Sequence, residues 1–145
     1  MVSCSMEACE MGIEMRGLCP LIQVFDMQVS LRFYCELLGF QIFQKAPGGG
    51  WVWLRHGDAE LMLNTAYDDG ERPDKPDPQR LLAHRDTGLF IGCPDVDRAY
   101  EYLTAKGCEV SKPKVAPYGM KQMYLKDPDG FEICLQWTEK SAAKR

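Results

Sequence analysis

The hydrophobic pattern changes period several times along the chain. Gly17 to Phe25 alternates, with Ile22 and Val24 on one side and Cys19, Leu21 and Gln23 on the other, the signature of a strand. Asp26 then opens a segment in which Val29, Phe33 and Leu37 recur every four residues, which predicts a helix over 28–38. Gly39 ends it, as a left-handed residue after the last turn does. Three further strands follow over 40–45, 51–55 and 59–64, broken by Pro47-Gly48-Gly49-Gly50 and by the hairpin turn His56-Gly57-Asp58.

The pattern then restarts. Gly88 to Cys93 is a predicted strand with Leu89 and Ile91 on one side. Asp95 is a good N-cap, Val96, Ala99, Tyr100 and Leu103 form a helical stripe, and Gly107 ends it. Cys108 to Ser111 reads as a short strand, 113–118 as a loop, and Met120 to Leu125 as a strand. The turn Asp127-Pro128-Asp129-Gly130 leads into a last strand, with Phe131, Ile133 and Leu135 on one face and Glu132, Cys134 and Gln136 on the other. A β-α-β-β-β unit therefore occurs twice, and the helix anchors agree, Asp26 to Gly39 against Asp95 to Gly107.

The predicted fold is α+β: two tandem βαβββ units forming a curved sheet around a concave cavity, with helices on the outer face. The expected organisation is a loose N-terminal tail over 1–15 and a single domain over 16–138, followed by a C-terminal tail over 139–145. Within the domain, unit one spans about 17–65, a linker 66–86, and unit two 87–137. The linker is rich in Asp, Pro, Arg and Gly and reads as a flap or a joint.

Composition narrows the function. With 46% hydrophobic and 26% charged residues the chain is an ordinary globular one. Its net charge of −4 and pI near 5.2 leave no basic stripe for nucleic acid. No apolar run approaches the roughly 20 residues that span a bilayer, and residues 1–15 lack the basic and apolar regions of a secretory signal. Seven cysteines without a Cys-x-x-Cys pair are neither a disulfide framework nor a zinc knuckle, so reduced thiols and a cytoplasmic location are expected.

Two segments carry a family resemblance: Asp26 to Phe40, a D…S…FY…LGF pattern, and the Asp127-Pro128-Asp129-Gly130 turn with the strand after it. In their order around the repeat they resemble the vicinal oxygen chelate superfamily of glyoxalases, bleomycin-resistance proteins and extradiol dioxygenases. The stretch 50–63 looks most like the bleomycin-resistance branch. The resemblance implies a homodimer and a ligand cavity on the concave face. In the metal-using members it also implies a divalent metal held by His, Gln or Glu. Carried over residue by residue, those ligand positions fall on Cys19, Met62, Gly88 and Cys134. None is a His or a carboxylate, and Gly88 has no side chain, so no cofactor is expected there.

The leading expectation is thus a metal-independent binder of a small organic molecule. The alternative is a lyase or dioxygenase of the glyoxalase or extradiol type that places a divalent metal on the shifted carboxylates Glu60 and Glu132. Candidate ligand contacts are Gln23, Asn64 and Gln136 as hydrogen-bonding groups, Trp51 and Trp53 as either core or stacking platform, and Phe90. A Cys19–Cys134 thiolate site is a further possibility, set against the usual role of buried cysteines as inert fillers. His56 falls in a turn, and His84 reaches the cavity only if the linker folds over it.

Overall fold

The computed structural model describes residues 12–139. The tail readings for 1–11 and 140–145 lie outside the described residues. Unit one runs β1 (Leu21–Val24), α1 (Met27–Leu31), a π-helical continuation (Arg32–Leu37), β2 (Gln41–Lys45), β3 (Trp51–His56) and β4 (Ala59–Thr65). Between the units lie α2 (Pro78–Ala83) and a 3-10 turn (His84–Asp86). Unit two runs β5 (Gly88–Gly92), α3 (Val96–Ala105), β6 (Lys114–Val115), β7 (Met120–Lys126) and β8 (Glu132–Thr138).

The strands form two four-stranded sheets with the same order, β1-β4-β3-β2 and β5-β8-β7-β6. In each, the first strand pairs parallel with the last and the others are antiparallel. The two-unit α+β fold holds, and the sheets do not close on themselves.

Alternation decides which face each sheet buries. Ile22, Val24, Val52, Leu54, Leu61 and Leu63 are buried on one face of the first sheet; Met123, Leu125, Ile133 and Leu135 on one face of the second. With Tyr34 and Phe40 from unit one and Val96 and Leu103 of α3, these residues form one continuous core. The two units therefore share a hydrophobic interior.

Several elements differ from the sequence expectation. The α1 stripe is displaced: Met27, Ser30 and Tyr34 are the buried positions, while Val29, Phe33 and Leu37 are only partly covered. The buried positions keep the i, i+3, i+7 spacing of a helical stripe, and within the π-helical turn at Arg32–Leu37 the Tyr34 hydroxyl donates to Asp127 Oδ2 at 2.7 Å. The strand expected at 108–111 is reduced to one bridge, Val110 with Leu125, and the paired strand is Lys114–Val115, inside the expected loop. The first strand is shorter than 17–25, so Cys19 precedes it.

The linker contains a helix that its composition hid. Asp77 caps it by accepting from the Gln79 N–H, and Pro78 sits at its first position. It docks by polar contacts. Arg80 donates to the Gln23 carbonyl of unit one and pairs with Asp129 of unit two at 3.1 Å. His84 stacks on Phe131 with ring centroids 3.9 Å apart, and its Nδ1 lies 2.6 Å from the Asp129 carbonyl. Earlier in the linker, Arg72 pairs with Asp26 at 3.0 Å. Through these contacts the linker is a strap across the seam of the two units.

The Asp127–Gly130 turn is the other clamp. Gly130 has φ +83°, which a β-carbon would strain. Asp127 accepts from the Asp129 and Phe131 N–H groups at 2.9 and 2.8 Å. Asp129, 1% exposed, accepts from the Phe25 N–H at 2.8 Å and from the Ser30 hydroxyl at 3.4 Å. Burial, partly opposed by these hydrogen bonds, raises the Asp127 carboxyl above the usual carboxylate range. Burial and the adjacent Asp127 raise Tyr34 far above the ordinary phenol value.

Candidate functional site

Opposite the shared core, each sheet presents a second face whose side chains line up in cross-strand rows. On the first sheet Gln23, Asn64 and Trp51 stand in one row; Leu21, Met62 and Trp53 in the next; Glu60 and Arg55 in a third. On the second sheet the equivalent rows are Gly92, Gln136 and Gln122; Phe90, Cys134 and Tyr124; and Gly88, Glu132 and Lys126. Both tryptophans lie on this concave side, because Val52 and Leu54 between them are buried in the core. The six candidate ligand contacts Gln23, Trp51, Trp53, Asn64, Phe90 and Gln136 all lie on these second faces, four on the first sheet and two on the second.

The face of unit one is aromatic and charged. Phe43 meets Trp53 edge-on at 4.8 Å, and the Arg55 guanidinium lies 3.6 Å from the Phe43 ring centroid and 5.0 Å from that of Trp53. Arg55 Nε donates to Glu60 Oε1 at 2.8 Å. Trp53 Nε1 is buried and finds no hydrogen-bond partner among the described residues.

The face of unit two is a network of amides and hydroxyls. Gln122 Nε2 donates to the Tyr118 hydroxyl at 2.7 Å and to Gln136 Oε1 at 2.9 Å. The Tyr124 hydroxyl donates to Gln122 Oε1 at 3.2 Å. Phe90 packs edge-on against Tyr124 at 6.3 Å. The network holds the Gln136 amide in one orientation, so a ligand meets a fixed donor and acceptor pattern.

Tyr118, Gln122, Tyr124, Phe43 and Arg55 were missed by the sequence reading. The signal was present for three of them: Arg55 shares parity with Trp53, and Gln122 and Tyr124 alternate with buried Met123 and Leu125. Phe43 was obscured by the register shift between Ile42 and Gln44, and Tyr118 lies in a turn with no period.

At the positions where a metal-using relative carries ligands, the side chains do not make a hard-metal site. A β-carbon on Gly88 would lie 3.2 Å from Phe90 Cε1, so the phenylalanine ring fills the space that a longer side chain at 88 would need. Cys134 is fully buried, and burial raises its thiol, as it does that of Cys19. Both are thereby held in the thiol form, and Cys19 lies before β1 of unit one while Cys134 lies on β8 of unit two, against a joint thiolate site. Met62 offers only a thioether. Among the described residues no three His, Cys, Asp or Glu side chains gather as a metal-binding group.

Glu60 and Glu132 occupy equivalent rows, each with a cation in the paired position, Arg55 and Lys126. Glu60 is held by Arg55, and Glu132 is exposed on unit two. His84 belongs to the strap, and His56 is an exposed strand end in edge contact with Phe40.

The concave faces are exposed, Leu21 at 47%, Phe43 at 51% and Phe90 at 54%. Among the described residues no hydrogen bond or ion pair joins one face to the other. A cleft of about 300 Å³ between the units is lined by Leu18, Pro20, Glu60, Gly88 and Phe90 together with the core-side residues Phe40 and Leu61.

Two tandem units, each a four-stranded mixed sheet in the same strand order, define a fold class, and the comparisons agree with it. The model of the Glyoxalase/Bleomycin resistance protein/Dioxygenase superfamily matches residues 18–135, and the chain belongs to that family. It is 29% identical over 126 residues to a probable chloroplastic lactoylglutathione lyase of Arabidopsis thaliana, which covers 81% of this chain and 34% of that protein. The chain thus spans about a third of that relative's length. Among solved structures it is similar to TnmS3, an antibiotic-binding protein from Streptomyces sp. CB03234, with TM-score 0.66 and 26% identity over 89% of this chain and 99% of that one. It also shares the fold of a bleomycin resistance determinant encoded on transposon Tn5, with TM-score 0.67 and 23% identity over 86% and 99% of the two chains.

Proposed function

We propose that this protein binds a small organic molecule on its concave faces, without the divalent metal of its metal-using relatives. One observation carries the reading: the positions that would hold the metal present Cys19, Met62, Gly88 and Cys134, and the Phe90 ring fills the space above Gly88. Oriented amides and aromatic platforms stand around those positions, the equipment of recognition. The similarity to an antibiotic-binding protein supports this reading.

The assembly belongs to the same proposal. Core packing uses the helix-side faces of both sheets, which leaves Leu21, Phe43 and Phe90 exposed on the concave sides. A homodimer that sets unit one of one copy against unit two of the other covers this surface and encloses a cavity with aromatic and amide walls. The free thiols of Cys19, Cys35, Cys93, Cys108 and Cys134 support a reducing, cytoplasmic location. Among the described residues no helix is long and apolar enough to cross a membrane.

Two measurements test the reading. Protein purified without chelator is assayed for metal, and planar aromatic probes, 2-naphthamide and 2-naphthoate, are titrated by calorimetry while the oligomeric state is followed by sedimentation. The proposal expects substoichiometric metal, a dimer and saturable binding of at least one probe. One divalent metal per chain, lost in Glu60→Ala or Glu132→Ala, would instead establish the shifted-carboxylate metalloenzyme.

A further inference from the structure

The concave face of unit one carries an oriented cation, Arg55. Arg55 is fixed in two ways: its guanidinium carbon lies over the Phe43 ring, 3.6 Å from the centroid, and its Nε is bound to Glu60 at 2.8 Å. Among the described residues neither of its terminal nitrogens, Nη1 or Nη2, makes a hydrogen bond, and the side chain is 43% exposed. Stacking spends the guanidinium's flat face and Glu60 its inner edge. The outer edge, with its parallel N–H groups, is the edge that takes a carboxylate through two hydrogen bonds. Beside it stands Trp53, an indole on which a planar ring can rest.

An ordinary surface ion pair would leave both side chains free to rotate. Here the aromatic pair Phe43–Trp53 and the cross-strand neighbour Glu60 hold the arginine before any ligand arrives, which lowers the ordering cost of binding. The equivalent row of unit two carries Lys126, an exposed cation over which no aromatic ring lies among the described residues, so the arrangement is a property of unit one and not of the repeat.

We infer that the concave site takes an organic acid, a planar ring bearing a carboxylate, with the carboxylate bound by the outer edge of Arg55 and the ring laid against Trp53. This inference rests on the binding reading above and names its ligand class. The carboxylate takes up the free N–H groups of Arg55, and Glu60 keeps Nε.

The test compares three probes that share a ring and differ in charge: 2-naphthoate, 2-naphthamide and 2-naphthylmethylammonium, titrated calorimetrically into the whole protein. The carboxylate is expected to bind about tenfold or more tighter than the amide, the scale of one charge-assisted hydrogen bond, and the ammonium weakest. Arg55→Met is expected to bring carboxylate and amide to equal affinity, and Arg55→Lys to restore only part of the preference. Glu60→Gln, which removes the competing negative charge and keeps a partner for Nε, is expected to tighten the carboxylate and leave the amide unchanged. It serves as the independent arm if Arg55→Met does not fold. Equal binding of carboxylate and amide by the unaltered protein, or preference for the ammonium, overturns the ligand class while leaving the binder reading intact. Failure of all three probes to bind overturns both.

Discussion

The two units have the same strand order and equivalent rows of side chains, yet their concave faces differ. Unit one offers Phe43, Trp53 and a stacked Arg55; unit two offers the Tyr118–Gln122–Gln136–Tyr124 network with Phe90. The turns between the last two strands of each unit differ in the same way. His56-Gly57-Asp58 is exposed, whereas the Asp127–Gly130 turn reaches into unit one through Asp127 to Tyr34 and Asp129 to Phe25. Repetition supplied two similar frames. Divergence made one turn into the clamp of the shared core and gave the two concave faces distinct chemistry.

The sharpest way to break this comparison is at the turns. Asp129→Ala removes a buried acceptor of the Phe25 N–H and leaves Arg80 without its carboxylate, and is expected to cost about 3–5 kcal/mol in urea unfolding. Asp58→Ala at the corresponding turn of unit one is expected to change stability by less than about 0.5 kcal/mol. Equal losses would show that the two turns do the same work.

A smaller effect is expected on the wall of unit two. Gln122→Ala strips a buried amide, 7% exposed, from Tyr118, Gln136 and Tyr124, and is expected to cost about 1–3 kcal/mol of stability. Probe binding should weaken with it, because the Gln136 amide loses its fixed orientation. On the wall of unit one, Trp53→Ala is expected to weaken probe binding at least as much with less loss of stability, since its Nε1 gives up no hydrogen bond among the described residues.

The smallest effect concerns pH. Asp127 has its folded-state carboxyl raised by burial, so its contribution to stability is full below the ordinary carboxylate range and is lost as pH rises through the raised value. The stability advantage of the unaltered protein over Asp127→Asn should therefore shrink as pH rises out of the ordinary carboxylate range. An advantage that grows with that rise would reverse the sign of the Asp127 assignment.

Much of the frame was legible in sequence, because strand alternation survives in single residues: Val52 and Leu54 against Trp51 and Trp53, Ile133 and Leu135 against Cys134 and Gln136. The duplicated anchors fixed the rows, but the face of Trp51 and Trp53 stayed open in sequence and is decided by the burial of Val52 and Leu54. What escaped was whatever depends on contacts between distant segments. The burial of Tyr34 answers to Asp127, 93 residues away. The helix at Pro78–Ala83 lacks an apolar stripe because it docks through Arg80 and His84, so no hydrophobic period announced it. The Arg55 stack needs Phe43 from a strand with a register shift, which alternation alone misplaces.

The central claim is that recognition on these faces needs no metal. The direct measurement is calorimetric titration of 2-naphthoate into the protein before and after exhaustive chelation, with divalent zinc, nickel and manganese added back in turn. The account predicts the same affinity and stoichiometry in every condition. Binding lost on chelation and restored by one equivalent of a divalent ion would contradict it.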